Sequence, residues 1–143
     1  MDALEVKYVN TVSPADLNRL RKSAGWNELS PRQAETGLAN SAFVTAAAVN
    51  GTIVGMARVI SDGAYIAYIA DVLVLPEYQG RGIGRELMNR VMLYIKGNAV
   101  AGEKVYVNLM AAKGKEGFYK RFGFIERPSE QHGAGMNLWL ACE

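Results

Sequence analysis

Residues 42–75 hold three runs rich in β-branched and apolar side chains, AFVTAAAVN, TIVGMARVIS and AYIAYIADVLVL, punctuated by Asn50-Gly51 and Asp62-Gly63. Asn-Gly and Asp-Gly supply the positive φ values that a tight hairpin needs, so two of them between three such runs predict an antiparallel meander. No other stretch of the chain restricts the fold so strongly. Pro76 closes the third run, and Ile83, Leu87, Met88, Val91, Tyr94 and Ile95 then recur at helical spacing until Gly97. That stripe predicts a helix lying on the sheet.

The remaining elements are shorter. LEVKYVN alternates apolar and polar residues as a half-buried strand does. Ser13-Pro14 with Asp16, and Ser30-Pro31 with Gln33, are helix starts: a capping hydroxyl, a proline at the first turn and an acid or amide three residues after the cap. Between the two helices a loop carries Gly25 and Trp26. Farther on, VYVNLM reads as a strand, KEGFYKRF as a short helix ending at Gly123, and FIER and MNLWLA as closing strands. The expected fold is α+β, with a single mixed, mostly antiparallel central sheet flanked by about four helices. A pair of strands with opposite crossovers splays apart in such a sheet and opens a cleft.

A chain of 143 residues fits one domain, 1–143. Its net charge of +2 does not argue for a nucleic-acid or anionic-membrane partner, and any anion site must be local. Cys142 is the only cysteine, which fits a reducing compartment and points to the cytoplasm. MDALEVKYVN has no apolar core behind positive charge, and no apolar run reaches the roughly 18 residues of a membrane span. No metal-ligand spacing occurs.

Between the meander and the long helix stands QGRGIG, Gln79 to Gly84. A helix start exposes unpaired N–H groups and the positive end of a dipole, so a glycine turn leading into one suits a phosphate or pyrophosphate. A tight connection with two solvated arginines, Arg81 and Arg85, is the plainer reading. A dinucleotide fingerprint would need glycine where Arg85 stands, and a P-loop would need lysine and a hydroxyl residue where Arg85 and Glu86 stand.

Gln79-Gly80-Arg81-Gly82-Ile83-Gly84 matches every fixed position of the acyl-CoA signature of the GCN5-related N-acetyltransferase (GNAT) family, which the chain resembles. The similarity extends back through Val72, Leu73, Val74 and Pro76-Glu77-Tyr78. It extends forward to Phe118-Tyr119-Lys120-Arg121-Phe122-Gly123-Phe124, which looks like the family's second signature. The resemblance implies the GNAT fold over the whole chain and acetyl-CoA as the acetyl donor. It also implies direct transfer to a primary amine of a small molecule. A protein or peptide acceptor, at a lysine or an N-terminus, is the alternative, and a non-catalytic acyl-CoA-binding module is another.

Residue by residue, the resemblance places the CoA pyrophosphate against Gly80, Arg81, Gly82, Ile83, Gly84 and Arg85, with Gln79 at the entrance. The pantetheine arm would pair with the main chain of Val72, Leu73, Val74 and Leu75. Tyr119 stands where relatives carry a phenol that protonates the departing thiolate, and core packing is its alternative role. Asp71 lies in an otherwise apolar run, either as a buried base with a raised pKa or as a carboxylate at a strand bulge, hydrogen-bonded to backbone. Trp26, Asn27 and Glu28 in the loop, with Tyr65 and Tyr68 on the strand, are the acceptor-side candidates, since aromatic faces and a carboxylate suit an amine. Ala112 replaces an asparagine that relatives use on the CoA arm, leaving Lys113 and Lys115 as substitutes; Asn108 lies too far upstream. His132 reads as a solvated loop residue. Exposed edge strands near the C-terminus would allow a homodimer.

Overall fold

The computed structural model describes residues 4–143. They form two compact units, one running through Leu109 and one from Met110 to Glu143. The first contains a five-stranded sheet in the order β1-β2-β3-β4-β5. Its strands are β1 (Lys7–Val9), β2 (Phe43–Val49), β3 (Thr52–Ser61), β4 (Ile66–Val74) and β5 (Tyr106–Leu109). The first four pair antiparallel and β5 joins β4 in parallel, which is the mixed sheet that the turn dipeptides and the following helix demand.

Three helices belong to this unit: α1 (Pro14–Ser23), α2 (Pro31–Ala39) and α3 (Ile83–Gly97). Ser13 Oγ accepts from Asp16 N at 3.0 Å and Ser30 Oγ from Gln33 N at 3.1 Å, so both proline-led helices start on the caps their sequences carry. Adjacent strand residues face opposite sides of a sheet. Met56 packs in a cluster with Leu17, Leu20, Ala34, Ala46 and Leu73, on the side of α1 and α2. Its neighbour Gly55 faces Ile83 and Leu87 of α3, and Phe43 of β2 stacks on Tyr94 of α3 at 4.5 Å. The sheet is therefore covered on both faces.

Two irregularities shape the sheet. The β2–β3 register shifts between Ala47 and Ala48, and the β3–β4 register shifts between Met56 and Arg58. At the second, Met56 pairs with Leu73 and Arg58 with Ala70, so Asp71 and Val72 together oppose Ala57 in a β-bulge. Asp71 takes φ 51°, a left-handed value that aspartate tolerates better than most side chains. The β4–β5 ladder spans only Ile66↔Tyr106 to Ile69↔Leu109, while β4 continues to Val74. The second half of β4 thus runs on without β5 beside it.

The second unit contains α4 (Glu116–Lys120), with Phe118 edge-on to both Tyr119 and Phe122 at 5.0 and 5.5 Å. The strands expected over 124–127 and 136–141 do not form among the described residues. Ile125, Met136, Leu138, Trp139 and Leu140 are exposed instead. Alternation supplies a strand-like face, yet a strand also requires a neighbouring backbone to satisfy its N–H and C=O groups. For the same reason β1 is shorter than LEVKYVN, since its pairing with β2 covers Lys7 to Val9.

Candidate active site

At the head of α3, Gly80 and Gly82 adopt φ values of 76° and 84°, and Gly82 is the N-cap. A Cβ at either position would meet no atom within 4 Å, so the backbone conformation, and not packing, calls for glycine there. No side chain caps this helix, in contrast to α1 and α2. The first helical bond runs from Glu86 N to Gly82 O at 3.1 Å, which leaves the N–H groups of Ile83, Gly84 and Arg85 without a protein acceptor among the described residues. Three converging donors and the positive end of a 15-residue helix make an anion cradle. Arg81 and Arg85 are exposed beside it, with the Arg81 guanidinium 5.9 Å from the Tyr78 ring centre. Gln79 folds back and its Nε2 donates to Val74 O at 2.9 Å, tying the turn to the end of β4. These features fit the pyrophosphate of CoA.

The strand leading to the turn is partly engaged. Leu75 N donates to Val54 O at 2.8 Å, and Leu73 is buried in the α1-side core. Main-chain groups alternate in direction along a strand, so those of Val72 and Val74 point away from β3, toward the side that β5 leaves open. The Val74 carbonyl already serves Gln79, and Val72 retains the freer main chain for an extended ligand.

Asp71 is buried but not isolated. Arg21 Nη1 donates to its Oδ1 at 3.0 Å and Arg58 Nε to its Oδ2 at 2.7 Å, and the three side chains are 8%, 15% and 6% exposed for Arg21, Arg58 and Asp71. Each carboxylate oxygen thus accepts from a guanidinium, which fixes the orientation of the group. The residue does sit at a bulge, but its carboxylate is held by two guanidinium groups and not by backbone N–H groups. Sequence reading missed both arginines. A signal existed for each: Arg21 shares the apolar stripe of Leu17 and Leu20, and Arg58 interrupts the apolar run TIVGMARVIS.

Of the acceptor-side candidates, Trp26, Asn27 and Tyr68 lie beside the same cluster, and Glu28 and Tyr65 do not contact it. Trp26 lies with the Arg21 guanidinium 5.5 Å from its ring centre and remains 36% exposed. The Asn27 carbonyl accepts from Arg21 Nε at 2.9 Å, and Glu28 is exposed. Tyr68 is half-buried, and its phenol is pushed up by burial and then by the charge of Asp71. Tyr65 is exposed at the turn before β4, where Asp62 Oδ1 accepts from the N–H groups of Ala64, Tyr65 and Ile66. Those backbone bonds, Ala64's foremost, hold the Asp62 carboxyl below its usual range.

In the second unit Tyr119 is buried at 8% exposure, edge-on to Phe124 at 6.3 Å. Burial pushes its phenol up to about 12, so the group keeps its proton through the neutral range. His132 lies exposed with Nδ1 3.3 Å from Ser129 Oγ. Lys113 and Lys115 are exposed as well. Among the described residues no cluster of His, Cys, Asp or Glu could hold a metal ion, and no helix is long and apolar enough to cross a membrane.

A family model described as an acetyltransferase (GNAT) domain matches residues 10–139. A ycf52-like uncharacterized N-acetyltransferase of Prochlorococcus marinus is 32% identical over 137 residues, covering 93% of this chain and 72% of that protein. A chloroplastic serotonin N-acetyltransferase of rice is 34% identical over 83 residues, which is 58% of this chain and 40% of the rice protein. The crystal structure of a probable acetyltransferase from meticillin-resistant Staphylococcus aureus is 35% identical, with a TM-score of 0.86 over 95% of this chain and 100% of that one.

Proposed function

The chain belongs to the GNAT family of acetyltransferases, and from that premise we propose that it transfers the acetyl group of acetyl-CoA to the primary amine of a small molecule. One observation carries the donor half: α3 begins at a left-handed glycine with no side-chain cap and three N–H groups free of protein acceptors. A pyrophosphate supplies the acceptors that this turn lacks.

The acceptor nitrogen attacks the thioester carbonyl carbon, the C–S bond breaks, and CoA departs as a thiolate that takes up one proton. The amine loses one proton in the same reaction. We assign the first proton to Tyr119, whose buried phenol is still protonated at neutral pH. The second goes to water, because Asp71, the one carboxylate within the strand, is engaged by two guanidiniums. Trp26, Asn27, Glu28 and Tyr68 form the acceptor side. Exposed Glu28 supplies the charge contact for an ammonium ahead of its deprotonation, and the open face of Trp26 supplies an aromatic one.

The test is a panel of small amines, serotonin first among them because of the rice relative, alongside lysine-containing and free N-terminal peptides. Each is incubated with acetyl-CoA while free thiol is followed. Turnover with a small amine at higher kcat/KM than any peptide is expected. Turnover confined to peptides would move the acceptor to protein, and no thermal shift with millimolar CoA would overturn the donor site.

A further inference from the structure

Arg21, Arg58 and Asp71 stand far apart in the chain and meet on the α1 side of β4. Stability alone is a poor reason for such a cluster, since well-packed apolar side chains of similar volume often replace buried ion pairs without loss. The other bonds of the two arginines show what the cluster holds. Arg21 Nε donates to Asn27 O at 2.9 Å, its guanidinium lies over Trp26 at 5.5 Å, and its carbonyl accepts from Trp26 N at 2.9 Å. Arg58 Nη1 reaches Gly37 O at 3.3 Å and Ser41 Oγ at 3.1 Å, at the end of α2. Asn18 secures the far end of the α1–α2 loop through paired bonds with the Leu29 main chain, at 2.9 and 2.8 Å. The Trp26 N–H bond is main-chain and survives any substitution at 21, so between those anchors it is the Asn27 carbonyl and the Trp26 ring that rest on the Arg21 side chain.

At the other end of the network stands the β4 bulge, where Asp71 takes its left-handed φ and β5 no longer accompanies the strand. One carboxylate thus links the strand that leads into the glycine turn to the loop carrying Trp26 and Asn27. We propose that Arg21 is a positioning residue: locked by Asp71, it fixes the loop over residues 25–28 against the bulge and sets acceptor affinity without acting on the acetyl donor. The proposal rests on the reading that Trp26, Asn27 and Glu28 face the acceptor. An unanchored loop would have to be ordered at every binding event, a cost that appears in acceptor KM.

The substitution Arg21→Met suits the test because a stem of similar bulk remains and Asp71 keeps Arg58, leaving a neutral pair. The chain has two tryptophans, so Trp139→Phe makes Trp26 the only one. In that background Arg21→Met should raise acrylamide quenching of Trp26 about twofold, as a loosened loop admits the quencher. With serotonin as acceptor probe, its KM should rise about tenfold, while kcat and the acetyl-CoA Kd stay within about twofold. Arg21→Lys separates charge from geometry. A lysine can pair with Asp71, but it has no fork with which to hold Asn27 O as well, so its quenching should match that of Arg21→Met. Unchanged quenching in both variants would overturn the proposal. So would full restoration by lysine, or an acetyl-CoA Kd that rises in parallel with the acceptor KM. The quenching measurement needs no turnover, so it stands or falls apart from the identity of the acceptor.

Discussion

Gly55 lies where β3 passes beneath the first turns of α3, and replacing it with alanine tests whether the sheet sets the position of the glycine turn. A Cβ built there would stand 3.0 Å from the Leu73 carbonyl oxygen, 3.3 Å from Ile83 Cγ2 and 3.3 Å from Leu87 Cδ1. The carbonyl belongs to a paired strand and cannot swing aside, so the added methyl must move α3 or bend β4 by a few tenths of an ångström. Overpacking of this kind costs about 1–3 kcal/mol, and alanine returns roughly 0.4–1 kcal/mol by stiffening the unfolded chain. The net expectation is a destabilisation of about 1–2 kcal/mol, or a Tm lower by about 2–8 °C for a chain of this size. Ile83 is the first residue of α3, directly after Gly82, so the displacement reaches the N–H groups of the turn. Acetyl-CoA affinity should fall about three- to tenfold, which corresponds to roughly 0.7–1.4 kcal/mol of lost binding.

Urea unfolding with an unchanged m-value measures the first effect and titration calorimetry with CoA the second. Gly37→Ala is the control, a helical glycine whose Cβ would meet nothing within 4 Å. It should gain about 0.5–1 kcal/mol from helix propensity. If Gly55→Ala were as stable as the parent and bound CoA equally well, α3 would not be seated on β3 as closely as these distances require. The sheet could then not be what positions the turn.

Other substitutions address the remaining parts of the site. Asp71→Ala leaves two guanidiniums buried without their anion and should cost about 3–5 kcal/mol in urea unfolding; a loss under about 1 kcal/mol would mean that water already screens the cluster. Thr45 Oγ1 is buried and makes no hydrogen bond among the described residues, so Thr45→Val should be neutral or stabilise by about 1 kcal/mol, read as a rise in Tm. Tyr119→Phe should lower turnover with little change in acetyl-CoA affinity, and unchanged turnover would remove the phenol from the reaction. The same variant carries a pH signature. Burial pushes the folded phenol up to about 12, against about 10 for an exposed tyrosine, so above pH 10 the unfolded chain releases this proton before the folded one does. The parent should therefore lose up to roughly 2–3 kcal/mol relative to Tyr119→Phe as pH climbs from 10 toward 12, and nothing below pH 10. Paired urea titrations at pH 9 and 11 check the sign.

Much of the fold can be read from short stretches because its causes are local. The proline-led helices start where Ser13 and Ser30 can cap them, and Asn50-Gly51 and Asp62-Gly63 fold the meander within a few residues of themselves. The helix over 83–97 ends at Gly97 as its spacing indicates. The same reasoning overreached at 124–127 and 136–141. There, alternation describes a face, but no partner backbone completes a ladder among the described residues.

For the site, the chain alone determined the glycine turn: a run of glycines between a strand and an amphipathic helix leaves unpaired N–H groups at the helix head. Which partners Asp71 has was decided only by tertiary structure. A carboxylate in an apolar strand reads equally well as a base or as a bulge residue, and its partners lie 50 and 13 residues away in sequence. Local pattern carries no information about which cations a folded sheet and helix bring to an oxygen atom. That pairing follows from the bulge at β4 and the seating of α1, and through it the loop that bears Trp26 and Asn27 acquires its place.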